Sequence, residues 1–513
     1  MQMTEVTVAQ GKADQATGEV LVLGHFEDDA SLKGDTATVD KALGGALRAL
    51  LSCKEFEGKN QQITVLHTQG KIPAKRVLLV GLGKKQDARK DTVRQALGCV
   101  AKRVRQLGAD SFVTPLLGQG IGGVSPLELA QAMVEGALLG LYQFTEYRTE
   151  QNGNGKRVST MTLIEPRKDR LAKLAEGARR GRAGAEAAAF VRDLCNHPSN
   201  VMTPSRIAAE ATAIGKERSV KVKILEQKDV EQLGMGAFLG VARGSHEPPK
   251  FIILEYRGGG RSGGSGKADK PIVLVGKTIT FDTGGISLKP AENMEQMKAD
   301  MTGGAEVLAT VRAAARLQLP LHVIGILPAT ENMPGGRAIK PGDILKTLSG
   351  KTVEVQNTDA EGRLILADGL AYACRLKPGV VVDIATLTGA CVVALGQFAI
   401  GMFGNQEGLK NKIRDAGLRA GERVWEMPLW EEYFEQLKSD VADMRNIGGR
   451  GGGMITAALF LSKFVGDGVP WVHLDIASTD WSERERAYIP KGPTGIGTRL
   501  LLQFLIDQAK LSH

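Results

Sequence analysis

Short, predominantly apolar runs bounded by turn residues recur along this chain and limit its fold most tightly. Arg76-Val-Leu-Leu-Val80, Ile272-Val-Leu-Val275 and Val380-Val-Val382 show no polar alternation, so each predicts a buried strand. Helical periods lie between such runs. Val93, Leu97, Val100, Val104 and Leu107 repeat at spacings of three to four, which predicts a helix over 91–107. Ser125-Pro126-Leu127-Glu128 has the form of a capping box with Pro at the first helical position. Strand and helix in alternation predict an α/β layer architecture.

At 513 residues the chain is long enough for more than one domain. The alternation in residues 1–165 ends on a strand at 161–164 and predicts an N-terminal α/β domain. Residues 166–196, basic and rich in small residues, predict a connecting helix. Residues 197–513 form a larger second unit, with strands expected at 220–225, 250–256, 271–276, 321–327, 380–387 and 471–477. The Gly/Ser-rich stretch 257–270 reads as a surface hairpin loop. Gly makes up 64 of 513 residues, against a usual ~7%, which points to many tight turns.

Five scattered cysteines, none in a CxxC pair, fit neither a disulfide framework nor a zinc-thiolate site and suit a reducing cytoplasm. The N-terminus shows no signal-peptide pattern. Residues 384–403 carry no charge and would be long enough to span a bilayer. Gly389, Gly396 and Gly401 interrupt them, and the segment reads as a buried strand followed by a turn, with no membrane span expected.

Two glycine motifs match nucleotide sites poorly, and the first reads as a tight βα turn. Val80-Gly81-Leu82-Gly83 lacks the third Gly of a dinucleotide fingerprint, and Gly276-Lys277-Thr278 follows an apolar strand where a phosphate loop would need glycine.

The acidic residues after the strand at 271–276 carry more information. Lys277 ends that strand; Asp282, the turn Thr283-Gly284-Gly285 and Lys289 follow. Met294, Met297 and Met301 predict one helical face, with Asp300 beside it. Further on stands Asn357-Thr-Asp359-Ala-Glu361-Gly-Arg363. Asp359 and Glu361, two apart, point the same way in extended backbone. Gly362 then permits a change of direction before a helix over 364–373. Carboxylates beside apolar runs need compensation, and a divalent metal is one form of it. Four carboxylates without a nearby His or Cys pair suit Mn, Mg or Zn. They are enough for two ions, which together can activate a water and polarise a carbonyl.

These motifs, VGKTITFDTGG, Lys289, MKADM and above all NTDAEGRL, resemble the leucyl (cytosol) aminopeptidase family, bacterial type. The resemblance continues through Glu331-Asn-Met-Pro, Asp383-Ile-Ala-Thr-Leu-Thr-Gly-Ala390 and Gly492-Pro-Thr-Gly-Ile-Gly497. It implies a C-terminal mixed-sheet metallopeptidase domain sandwiched by helices, acting as an aminopeptidase that removes leucine or other apolar N-terminal residues from peptides. By the same resemblance, one metal is held by Lys277, Asp282, Asp300 and Glu361, and the other by Asp282, Asp359 and Glu361. A hydroxide bridging the two metals attacks the first peptide carbonyl. Lys289 stabilises the tetrahedral intermediate, and Arg363 holds a bicarbonate as general base. Met297, Thr386 and Gly389 line the pocket for the first side chain. Mn is the expected metal, with Zn or Mg as alternatives, and a cytoplasmic homohexamer the expected assembly. Lys277 can ligate only as a neutral amine, so two adjacent dications must lower its pKa. Three departures from the family pattern are visible: Thr278 where Gly is usual, Glu306 where a small residue is usual, and the long 257–270 loop.

His473, on an apolar strand, reads as a satisfied core residue. The net charge is +9. Eleven basic side chains fall within 71–105 and nine within 156–182, which raises DNA binding as an addition to catalysis. No recognition motif accompanies them, so such binding would rest on phosphate contacts.

Overall fold

The computed structural model describes residues 4–149, 157–217, 219–259 and 270–511. It divides into two compact units, Met1–Ala189 with Arg484–Lys491, and Phe190–Glu483 with Gly492–His513. The helix Leu171–Asn196 is continuous across the division. No local signal in the sequence indicates that Arg484–Lys491 groups with the first unit.

The first unit is built on six strands: β1 (Glu5–Gln10), β2 (Val20–His25), β3 (Ile63–His67), β4 (Arg76–Gly81), β5 (Ser111–Pro115) and β6 (Thr160–Glu165). They form one sheet in the order β1-β6-β5-β2-β4-β3, parallel except for β3. The expected helix starting near 91 runs Lys90–Gln106, and its stripe Val93, Leu97, Val100 and Val104 is fully buried. The helix Pro126–Gly140 starts on the capping box read from sequence, with Glu128 N–H donating to Ser125 Oγ and Ser125 N–H to Glu128 Oε2.

The second unit contains β7 (Val220–Leu225), β8 (Lys250–Arg257), β9 (Ile272–Gly276), β10 (Thr278–Asp282), β11 (His322–Asn332), β12 (Ile344–Lys346), β13 (Thr352–Glu354), β14 (Val380–Ala385), β15 (Ile400–Gly404), β16 (Val424–Glu426), β17 (Met444–Arg445) and β18 (Trp471–Asp475). The main sheet runs β16-β15-β18-β14-β9-β11-β8-β7, with β10 beside β11. Its centre, β18-β14-β9-β11 and β10, is parallel. Val273 and Val275 pack into a core with Leu364, Ile365, Leu366 and Phe460. Leu274, equally buried, lies outside that core, as expected for a strand with both faces covered. The helices Thr302–Arg316 and Glu361–Arg375 pack on β9 and β11. This is the two-domain α/β architecture expected from the alternation.

Three local expectations need correction. β8 and β9 do not form a hairpin: each pairs with β11, which lies between them, so 257–270 is a crossover, and its residues 260–269 lie outside the described residues. Met294, Met297 and Met301 do not share one helix, because a short 3-10 turn (Met294–Ala299) ends before Asp300 and Met301 caps the next helix. Gly362 does not redirect the chain; it lies inside the helix Glu361–Arg375. The uncharged segment 384–403 folds as the end of β14, the short helix Gly389–Leu395 and the start of β15. Among the described residues, no helix is long and apolar enough to cross a membrane.

Candidate metal centre

The parallel centre of the sheet brings the carboxyl ends of five strands to one edge, where open α/β sheets bind ligands. Lys277 follows β9, Asp282 ends β10, Asn332 ends β11, Thr386 follows β14 and Asp475 ends β18. Asp359 and Glu361 arrive from elsewhere, Asp359 on the turn before the helix Glu361–Arg375 and Glu361 as its first residue. That segment is a turn leading into helix, not the extended backbone expected from the two-residue spacing. The carboxylates converge all the same: one oxygen each from Asp282, Asp359 and Glu361 lies within 4.8 Å of the others.

Lys277 is sealed inside the cluster. Its Nζ donates to Asp300 Oδ1 at 2.7 Å and to the Thr386 carbonyl at 2.8 Å, and lies 2.9 Å from Glu361 Oε1. Gly362 matters for this placement, since a Cβ there would stand 2.6 Å from Lys277 Cε. Lys289 pairs with Asp282 Oδ2 at 2.8 Å and with Asp359. The two lysines differ in access: the Lys289 side chain is 23% exposed and that of Lys277 4%. Asp282 Oδ1 accepts from Gly284 N–H at 2.9 Å and Asn332 Nδ2 at 2.7 Å. Gly284 holds a φ of +86° in this turn, a conformation favouring glycine.

Burial disfavours charge on both lysines, but Asp300, Glu361 and Asp282 around Lys277, and Asp282 and Glu361 around Lys289, raise both above the ordinary value. Burial, then the charge of Asp282, pushes Glu361 up to about 6 against the pull of Lys277 and Lys289. Burial raises Asp300 well above its ordinary value despite Lys277, and raises Asp359 with help from Asp282. Two oxygens in this buried cluster, Asp300 Oδ2 and Glu361 Oε2, have no hydrogen-bond partner among the described residues. Buried oxygens of this kind are costly unless something compensates them. An all-oxygen donor set with an added amine fits a hard or borderline divalent cation. The residues present therefore fit the metal that the sequence motifs imply.

Arg363 is buried in the first turn of the helix. Its Nη1 donates to the Asn446 carbonyl at 2.7 Å, while Nε has no partner among the described residues. Burial lowers its pKa to about 10. Thr386 belongs to the frame of the cluster: its Oγ1 donates to Asp300 Oδ1 at 2.7 Å. Met297 is half-buried in the 3-10 turn, and Gly389 is exposed at the start of its short helix.

Sequence reasoning missed two asparagines. Asn332 bridges Asp282 to the Thr358 carbonyl. Asn446 receives the Gln356 N–H on Oδ1 and donates from Nδ2 to the Asn357 carbonyl. A polar residue closing the apolar β11 run was the available signal for Asn332; Asn446 has none. His473 is fully buried, with Nδ1 2.6 Å from Asp383 Oδ1, whose other oxygen accepts from Trp471 Nε1 at 2.6 Å.

The departures resolve differently. Thr278 turns its hydroxyl back to the Gly276 carbonyl at 2.8 Å. Glu306 is fully buried, and neither carboxylate oxygen has a partner among the described residues.

Such a sheet edge, with paired carboxylates and a buried lysine, defines a metal-dependent hydrolase of the α/β class. The comparisons say which one. Residues 189–502 match the model of the cytosol aminopeptidase family catalytic domain, and 22–151 that of its N-terminal domain. A relative from Geobacter sp. (strain M21), named "Probable cytosol aminopeptidase", is 47% identical over 490 residues, covering 94% of this chain and 96% of its own. One of the same name from Roseiflexus castenholzii is 45% identical over 98% of this chain and 99% of its own. Among solved structures, the bottromycin maturation enzyme BotP in complex with Mn matches with TM-score 0.84 and 34% identity, covering 96% of this chain and 100% of that one. A mutant of tomato leucine aminopeptidase matches with TM-score 0.86 and 32% identity, covering 98% and 96%. The chain belongs to the cytosol aminopeptidase family. It is a metallo-exopeptidase, hydrolysing peptides from the N-terminus in a metal-dependent reaction.

Proposed function

We propose that the chain releases leucine or another apolar N-terminal residue from peptides, using two divalent ions. Lys277, Asp282, Asp300 and Glu361 would hold one, and Asp282, Asp359 and Glu361 the other. The observation that carries this reading is the convergence of Asp282, Asp359 and Glu361, with Asp300 joined to them through Lys277 and two buried oxygens left unpartnered among the described residues. Mn is the expected metal, since a solved relative is a Mn complex; Zn and Mg are the alternatives. When bound, such ions polarise the scissile carbonyl and lower the pKa of a water that can attack it.

The chain's own groups divide the remaining work. Lys277, walled in by Asp300 and Glu361, is the internal amine; it ligates only after losing its proton, which nearby dications favour. Lys289 reaches the more open side of the cluster and is the cation that meets the developing oxyanion. Arg363, whose Nε is unpartnered among the described residues, would hold a bicarbonate, which supplies a general base when bound. Thr386 fixes Asp300, and Met297 and Gly389 would border the first side chain. Differences of one methylene there discriminate by only ~1–3 kcal/mol, so a preference for leucine over other apolar residues is expected to be modest.

We place the protein in the cytoplasm, as its relatives are named, and expect a homohexamer. Exposed Trp425, Trp430 and Val393 offer apolar surface that self-association would cover. A monomer in gel filtration at working concentration would contradict this. A DNA-binding role draws less support: Arg94, Arg167, Arg179, Arg180 and Arg182 of the basic segments each pair with an acid. Binding that falls steeply with salt would support it, and no binding at low salt would end it.

The test is hydrolysis of a leucine anilide by metal-stripped protein, before and after adding Mn, with Glu361→Ala alongside. Activity is expected to return with Mn in the wild type and to stay absent in the variant. Folded, Mn-loaded protein inactive on the anilide and on a small peptide panel would contradict the reading.

A further inference from the structure

We propose that Asn332 is a positioning residue for the metal centre, its side-chain amide locking the Asp282 carboxylate to the turn that carries Asp359. The inference rests on the metal-centre reading and concerns how the chain keeps two candidate ligands from separate segments in one geometry.

Asp282 and Asp359 have no helix or strand in common. Asp282 closes β10, and Asp359 lies on the turn before a helix 79 residues later, counting from 282 to 361. Asn332 is 2% exposed and joins them with both protons of one amide. Its Nδ2 donates to Asp282 Oδ1 at 2.7 Å and to the Thr358 carbonyl at 3.1 Å. Its own carbonyl accepts from Thr283 N–H at 3.0 Å and Thr283 Oγ1 at 2.8 Å. The register of β10 on β11 slips between Ile279 and Asp282, and the slip sets Asp282 opposite Asn332. Irregularities of this kind re-aim side chains near functional sites.

The amide also divides the work of the Asp282 carboxylate. Asn332 Nδ2 and Gly284 N–H both bind Oδ1, while Oδ2 is directed to Lys289. One oxygen is thus held by the frame, and the other is presented to the cluster. No other residue type of this size supplies two donors and no charge at that point. Asp would offer none and would add a negative charge 2.7 Å from Asp282 Oδ1. Ala would leave two buried acceptors short of a donor. Hydrogen-bond partners of metal ligands typically set metal affinity within 10–100-fold.

The experiment is a Mn titration of metal-stripped wild type, Asn332→Ala and Asn332→Asp, read by the signal of free aqueous Mn in electron paramagnetic resonance. Melting temperatures are measured in excess chelator. Asn405→Ala serves as a reference: Asn405 bonds Trp471 N–H and the Val469 carbonyl and touches no carboxylate of the cluster. Both Asn332 variants are expected to bind Mn 10–100-fold more weakly, and the Mn needed for half-maximal activity should rise in proportion. Asn405→Ala should change melting alone. Asn332→Asp keeps the side-chain volume, so it carries the test if the Ala variant does not fold. Mn affinity within twofold of wild type in the folded variants overturns the proposal and leaves the metal reading intact. A wild type that binds no Mn overturns both.

Discussion

Both units bury titratable side chains, but they compensate them in opposite ways. In the first unit Arg94, fully buried, donates from Nε to Glu135 Oε2 at 2.7 Å and pairs through Nη1 with Asp91 at 2.5 Å. Gln131 caps the other Glu135 oxygen at 2.8 Å, and Gln95 and Tyr488 complete Asp91. A planar guanidinium fits this arrangement, and each oxygen has a donor. In the second unit, four carboxylates share two lysines, and Asp300 Oδ2 and Glu361 Oε2 are left over among the described residues. The first cluster is complete as a piece of structure. The second is left with buried acceptors that added positive charge would compensate, and charge-imbalanced buried groups of this kind concentrate at functional sites.

The contrast can be broken at either end. Arg94→Ala strands Glu135 in the core, and removing one partner of a buried ion pair costs about 3–5 kcal/mol. Denaturant unfolding should show that loss, while activity per folded molecule stays near wild type; a large loss of kcat would erase the distinction between the clusters. Lys289→Ala should do the reverse. If Lys289 meets the oxyanion, kcat falls about 100–1000-fold, with Mn-loaded thermal stability little changed. Gly362→Ala sharpens the point, because its methyl would press on Lys277 Cε. Displacing a ligand by about 1 Å costs on the order of 100-fold in rate, whereas Gly→Ala inside a helix otherwise favours the fold by roughly 1 kcal/mol. Activity should drop and helix content should not.

The smallest effect belongs to Glu306, a buried acid whose carboxylate oxygens have no hydrogen-bond partner among the described residues. Burial, then Glu422 and Asp480, raise its pKa well above 4.5. The folded state therefore holds a proton that the unfolded state releases as pH rises past about 4.5. Glu306 weakens the fold progressively above that pH, up to its folded pKa. Glu306→Gln should be more stable at pH 8 by about 1 kcal/mol, with the gain shrinking toward pH 4.5. A gain independent of pH would contradict this account.

Strand identity was legible because local residues decide it: β4 and β9 begin and end within a residue or so of the apolar runs, and β7 matches the strand expected at 220–225. The convergence of Asp282, Asp359 and Glu361 was legible as motifs, though not for the reason the spacing suggested. Asp359 and Glu361 converge because a turn runs into a helix N-terminus, a geometry that a two-residue spacing does not specify. The order β9-β11-β8 was not legible, since neighbours in a sheet are chosen by packing across the unit, and Lys250 to Gly276 reads locally like a hairpin. Asn446 and Tyr488 were missed for the same reason: their partners, Asn357 and Asp91, stand 89 and 397 residues away.

The central claim is that the unpartnered buried oxygens mark a centre for two ions. Equilibrium dialysis of metal-stripped protein against Mn, with bound metal counted per chain, tests it most directly. The account predicts two Mn per chain in the wild type and fewer in Glu361→Ala, whose carboxylate both sites would share. A wild type that saturates at one ion or none, or a variant that binds as many as the wild type, would contradict it.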